Sequence, residues 1–221
     1  MDRLKLAAPS GLRPLDLVTC VHNTITWAQI GEWSDRYEAS THFEVGDEIS
    51  DTLKTGEEVV FVVVGKDMYH TRDVIFGLKD CLKTKWHMNT TYTNKGGWTV
   101  SNMRRYLNEW IFEQLPDDLQ IIIKPRVIQN SLDRLWLFSQ MEILGNYEFT
   151  EKDTDFDAQM PYFKRKSNRV KGLGKDGVAT RWWDRSHYVG NTLSFYRIDA
   201  GGGCDADAAN CSYGVSFGFC V

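Results

Sequence analysis

Residues 182–221 read WWDRSHYVGNTLSFYRIDAGGGCDADAANCSYGVSFGFCV. Glycines at 190, 201–203, 214 and 218 break this stretch into short runs rich in aromatic and β-branched residues. That pattern predicts short strands joined by turns. The same texture begins near Gly172, so the C-terminal third is expected to be long and irregular.

Working back toward the N-terminus, residues 148–157 (EFTEKDTDFD) are polar and charged and predict a surface loop, and 134–139 (RLWLFS) predict a buried strand. Met103, Leu107, Ile111 and Leu115 recur every four residues, the mark of a helix with one apolar face. Thr99 or Ser101 would cap that helix and Pro116 would end it. Residues 117–124 form a second helix candidate, acidic at its start, with Lys124 at its end and Pro125 as a stop.

Residues 73–82 read as a strand with Gly77 at a bulge, and the Val-rich 58–65 as a strand buried on both faces. Phe43, Val45, Ile49 and Leu53 supply strand material around the Gly46-Asp47 turn. Thr24 or Thr26 is placed to cap a short helix through Trp27, Ile30 and Trp33. Residues 1–23 show no clean period and read as an unassigned N-terminal arm. The class is mixed α+β, with strands at both ends, two central helices and one domain over 24–221. There is no alternating βα rhythm and no GxGxxG or GxxxxGK[ST] phosphate loop.

The chain has 221 residues, 42% of them hydrophobic and 25% charged, with a net charge of −4. These fractions exclude a chain disordered throughout. An acidic pI of 5.7 offers no electrostatic reason to expect a nucleic-acid partner. The longest apolar run, 59–64, is far short of the roughly 20 residues that span a bilayer. No signal peptide opens the chain, so a cytoplasmic or virion-associated protein without membrane insertion is expected. Cys20, Cys81, Cys204, Cys211 and Cys220 are odd in number and form no CxxC knuckle, which fits reduced thiols. No metal and no cofactor is expected.

Composition changes sharply at Asp184. Residues 1–183 contain 44 Lys, Glu, Gln, Met and Trp, and residues 184–221 contain none. At the upstream rate about nine would be expected in such a stretch. These five are the amino acids that no codon ending in a pyrimidine encodes. A segment rewritten through such codons would lose all five and be enriched in Asn, Asp, Tyr, His, Ser, Thr, Gly and Ala, which is the composition found. A Gly-rich β region that avoids long charged side chains is the alternative.

Trp182-Trp183-x-Arg185-Ser186, then Phe195, Ile198, Gly202, Ala209 and the closing Gly214-Val215-x-Phe217-Gly218-Phe219-Cys220-Val221, resemble the terminal motif of an uncharacterised domain family of gut bacteria and their phages. The resemblance continues upstream through Thr26-Trp27-Ala28-Gln29-Ile30, Val45-Gly46-Asp47, Gly96-Gly97-Trp98, Met103-Arg104, Ile123-Lys124-Pro125 and Leu135-Trp136-Leu137-Phe138-Ser139. It covers 24–221. It implies a C-type-lectin-like fold of the formylglycine-generating-enzyme branch, similar to the variable proteins of diversity-generating retroelements. In those, adenine-directed mutagenesis rewrites codons near the C-terminus, and the fold displays the new side chains. Asp184 and His187 depart from the family pattern, which carries an apolar residue and a Pro there.

Under that resemblance the motif residues are scaffold and a variable region spans 184–216. The display positions are Asp184, His187, Tyr188, Asn191, Thr192, Leu193, Tyr196, Arg197, Asp199, Asp205, Asp207, Asn210, Cys211 and Tyr213. Tyr offers large amphipathic contact area at low entropy cost, and Asn, Ser, Thr and Asp offer adaptable hydrogen bonds, the vocabulary of antibody loops. A protein or carbohydrate ligand, on a cell surface for instance, is the expected partner, and an oligomer is compatible with it. Trp86, Trp98, Trp110, Trp136, Trp182 and Trp183 read as core or packing residues.

Calcium-dependent sugar binding is disfavoured, because the Glu-Pro-Asn and Trp-Asn-Asp signatures of such lectins are missing. Asp205 and Asp207 lack the frame of a calcium loop. The rival readings are an oxidoreductase like the formylglycine-generating enzymes, with Cys204 and Cys211 as its pair, and a fixed lectin or phage structural module. For nucleophilic catalysis, Cys211 or Cys204 with His187 is the one nearby pairing in sequence, and nothing fixes a third group. No catalytic residue is assigned.

Overall fold

The computed structural model describes residues 4–5, 25–147, 150 and 158–221. The loop expected at 148–157, apart from Thr150, and the arm apart from 4–5 lie outside the described residues.

Strands β1 (Leu4–Lys5) and β2 (Glu48–Thr52) flank the helices α1 (Trp27–Asp35) and α2 (Ala39–His42) in sequence. Thr26 caps α1 in a full capping box, its hydroxyl accepting from the Gln29 amide while the Gln29 side chain accepts from the Thr26 amide. Strands β3 (Glu58–Lys66), β4 (Val74–Leu78) and β5 (Trp86–His87) follow. Helix α3 begins as an α-helix at Asn102–Arg105, passes through a π-helical turn at Tyr106–Ile111 and ends as Phe112–Gln114. Ser101 is its cap. Pro116 precedes α4 (Asp117–Ile122), which has Asp117 and Asp118 in its first turn, where the helix dipole favours negative charge.

The hairpin β6 (Arg126–Ile128) and β7 (Ser131–Asp133) leads to β8 (Trp136–Leu137), α5 (Gln140–Leu144), the short pair β9 (Lys171–Gly172) and β10 (Ala179–Thr180), then β11 (Trp182–His187), β12 (Ser194–Ile198), β13 (Cys204–Ala208), β14 (Ser212–Tyr213) and β15 (Phe217–Cys220). Almost all pairing is antiparallel, so the class is mixed α+β with few helices. The strand predicted at 134–139 shortens to β8, because Ser139 leaves it to cap α5.

The principal sheet runs β1-β2-β3-β4-β15-β8. The last strand of the chain is thus an interior strand, placed between β4 and β8. Gly218 opposes Gly77, and both leave room for the Phe138 ring. A Cβ at Gly77 would lie 3.0 Å from that ring, and one at Gly218 only 2.3 Å. Gly77 therefore sits in regular pairing with Val62 and is not a bulge; the register shift falls between Val63 and Gly65. Phe219 stacks on Phe76 at 5.5 Å and meets Phe61 edge-on at 5.2 Å, with Trp27 of α1 closing the cluster. Among the described residues no helix is long and apolar enough to cross a membrane.

Candidate functional site

Most of the residues singled out after position 183 fall on the three-stranded sheet β11-β12-β13 and its loops, while Tyr213 lies on β14, which pairs with β5. Trp183 opposes Arg197 and His187 opposes Phe195, while Arg197 opposes Asp205 and Phe195 opposes Asp207. Directly opposed residues share a face of a sheet. One face thus carries Trp183, His187, Phe195, Arg197, Asp205 and Asp207, and the other carries Trp182, Tyr196, Ile198 and Cys204. Trp183 and Phe195 are buried, whereas β13 is an edge strand whose side chains are half-buried or exposed. A covered aromatic floor therefore lies beneath a polar edge.

That edge is bonded to itself. Arg197, buried along its stem, reaches Asp205 at 3.0 Å and Asp207 at 3.3 Å. The Tyr213 hydroxyl donates to Asp207, and the Cys211 thiol lies 3.8 Å from the other carboxylate oxygen. Burial alone would raise the Asp207 carboxyl. The Tyr213 hydroxyl, the Ala208 amide and Arg197 outweigh it and hold this group below its ordinary value. Tyr213 packs edge-on against Trp183 at 4.9 Å, with the Arg181 and Arg197 guanidinium groups 5.9 and 5.8 Å from its ring centre. One Arg thus neutralises part of an acidic pair, and the ring of Tyr213 stands beside it.

A second group is the loop 188–193. Asn94 holds it from another part of the chain. Its side-chain amide donates to the carbonyls of Tyr188, Asn191 and Ser194, and its backbone amide to that of Thr192. Asn191 turns the loop internally by accepting from the Leu193 and Ser194 amides. Asn191 and Thr192 are exposed, Leu193 and Tyr188 are half-buried, and Tyr188 meets Tyr196 edge-on at 5.7 Å. His187 faces Gly97, where a Cβ would come within 3.2 Å of its ring.

Asp199 belongs to a third place, the loop between β12 and β13. Its carboxylate accepts from the amides of Gly203 and Gly201, which lowers its pKa and closes the turn. Asn210 is exposed in the turn before β14.

Three expected display positions are buried. Asp184 has no exposed surface, and Tyr196 and Arg197 are 5% and 6% exposed. Asp184 is therefore removed from the display set. It sits in the irregular stretch of β11 between Trp183 and His187, where Trp182 to Ser186 are all buried and neither face of the strand reaches solvent. Arg197 spends its guanidinium on the Asp205 and Asp207 carboxylates. The motif residues Trp182, Trp183, Arg185, Ser186, Phe195, Ile198, Gly202 and Gly214 are all buried.

Two residues that organise this region were not singled out in the sequence. Asn94 gave no signal, since its three carbonyl partners lie about a hundred positions away. Glu142 had one, the Ser139-x-x-Glu142 capping box, in which the Ser139 hydroxyl accepts from the Glu142 amide and the Glu142 carboxylate accepts from the Ser139 amide. Glu142 is fully buried between Arg126 and Arg185.

Cys81 and Cys220 are buried, and burial pushes the Cys81 thiol up to about 12. Cys204 opens β13 and accepts from the Gln140 side chain at 3.6 Å, while Cys211 adjoins Asp207; neither is in a disulfide. Among the described residues no group of three His, Cys, Asp or Glu side chains is placed to hold a metal ion. Trp98, Trp136, Trp182 and Trp183 are buried as expected, but Trp110 is half exposed. It lies at the end of a stack in which Tyr106 is 5.3 Å away and Trp86 follows at 4.3 Å.

Fold and site together define an α+β domain whose last strand is built into its main sheet and whose smaller sheet presents a polar edge. The chain belongs to the family described as Domain of unknown function (DUF6273), matched over residues 71–221. That span contains the whole three-stranded sheet. No curated protein and no solved structure matches the chain.

Proposed function

We propose that this is a non-enzymatic ligand-binding protein, of C-type-lectin-like fold in the formylglycine-generating-enzyme branch, whose C-terminal surface is diversified by a retroelement. The observation that carries the reading is the division of the last 38 residues by burial. The motif residues are covered, while His187, Asp205, Asp207 and Tyr213 reach solvent beside the loop 188–193. A fixed aromatic floor under a variable polar edge lets side chains change without loss of the fold. The absence of Lys, Glu, Gln, Met and Trp from the same residues fits codons rewritten at adenine. The ligand class is a protein or carbohydrate surface, met by Tyr rings and short polar groups.

The DNA around the coding sequence tests the diversification. The expected result is a near-identical template repeat that differs mainly at template adenines, with a reverse-transcriptase gene nearby. A flank with neither contradicts diversification and leaves a fixed module.

A further inference from the structure

We propose that Asp184 is a proton-linked lock on β11, held as the neutral acid while the strand is packed, so that losing its proton loosens the strand and the loop 188–193 that it feeds. Asp184 is fully buried. Its Oδ1 accepts the Ser186 amide two residues on, and no protein donor reaches its Oδ2. An ionised carboxylate in that position keeps its charge out of water with half its acceptor capacity unused, which is costly enough that such groups take a proton instead.

The charged groups around it are largely committed to one another. On its own strand, Arg185 donates to the Leu137 carbonyl and to Glu142. From α5, Glu142 faces the same region with like charge, and it also binds Arg126 of β6 and the Tyr69 hydroxyl from the turn before β4. Burial, the largest influence, pushes the Asp184 carboxyl up to about 7 from an ordinary 3.8, Glu142 adds to this, and the Ser186 bonds and Arg185 oppose it.

The sign follows. A native state that keeps the proton over this range binds more protons than the unfolded chain does. The contribution is complete below the ordinary carboxyl value and is lost as pH rises toward neutrality. The inference holds whether or not the loop binds a ligand.

The test compares the full chain with Asp184→Asn, an uncharged near-isostere, by denaturant midpoint and amide exchange over 184–194 from about pH 5 to about pH 8. In the wild type the midpoint falls with pH, and amide protection, corrected for intrinsic exchange, drops by about tenfold or more. In Asp184→Asn neither falls with pH. A carboxyl NMR titration of the wild type, which needs no variant, shows Asp184 titrating near neutrality. Equal slopes in the two proteins, or an Asp184 carboxyl that titrates at its ordinary value, overturns the proposal.

Discussion

Glu142→Ala destabilises the protein by about 3–5 kcal/mol in urea denaturation at neutral pH, the cost of breaking a buried ion pair from one side. The Glu142 carboxylate is fully buried and accepts from four donors: Arg185, Arg126 at 3.0 Å, the Tyr69 hydroxyl at 2.6 Å and the Ser139 amide at 2.8 Å. Removing it leaves two guanidinium groups in the interior without their counter-charge and takes away the reciprocal half of the α5 capping box, the acceptor of the Ser139 amide. Arg126 is further confined, lying 3.5 Å over the Tyr69 ring.

Burial pushes the Glu142 carboxyl up, yet Arg185 and Arg126, with their hydrogen bonds and that of Tyr69, outweigh it and hold the group at about 2. A depressed carboxyl contributes stability that is complete above its ordinary value of 4.5 and is lost as pH falls toward 2. The wild type should therefore weaken through that acid window and the variant should lack this component. A loss below about 1 kcal/mol would mean that the two arginines find other partners.

Phe219→Ala costs about 3–5 kcal/mol, the usual range for emptying a packed aromatic site. Phe219 is fully buried and touches Phe76, Phe61 and Trp27, so its ring ties β15 to β4, β3 and α1 at once. Because β15 also pairs with β4 and β8, the loss falls on the centre of the principal sheet. Calorimetry checks this as a lowered unfolding temperature with one cooperative transition. A stability within about 0.5 kcal/mol of the wild type would show the closing strand to be a loose appendage.

The regular elements were legible where local signals and tertiary packing agree. Ser101 and the four-residue spacing of Met103, Leu107, Ile111 and Leu115 mark α3, and the Val-rich run marks β3, because one apolar face or two buried faces leave a direct pattern. The π-helical turn at Tyr106–Ile111 leaves no such pattern. Gly77 misled because a glycine in a strand serves equally well for a bulge or for close packing. Here it admits a ring, Phe138, from 61 positions away.

The candidate site was legible in part, for a related reason. Composition marks which stretch departs from the rest of the chain, but not which way each side chain points. Asp184 looks like any polar residue in that stretch, and only the packing that covers both faces of β11 encloses it. Glu142 looks like a surface helix acid until Arg126 and Arg185, 16 and 43 positions away, close on it.

The central claim is that the fold tolerates change at the polar edge and uses it to bind. The most direct measurement randomises His187, Tyr188, Asn191, Thr192, Asp205 and Tyr213 together through pyrimidine-ended codons. The library is sorted first for protease resistance and then for binding to a panel of unrelated proteins and glycans. The account predicts that most members keep the wild-type fold and that different targets enrich different members. A library that is mostly unfolded, or a folded one from which no target enriches anything, would contradict it.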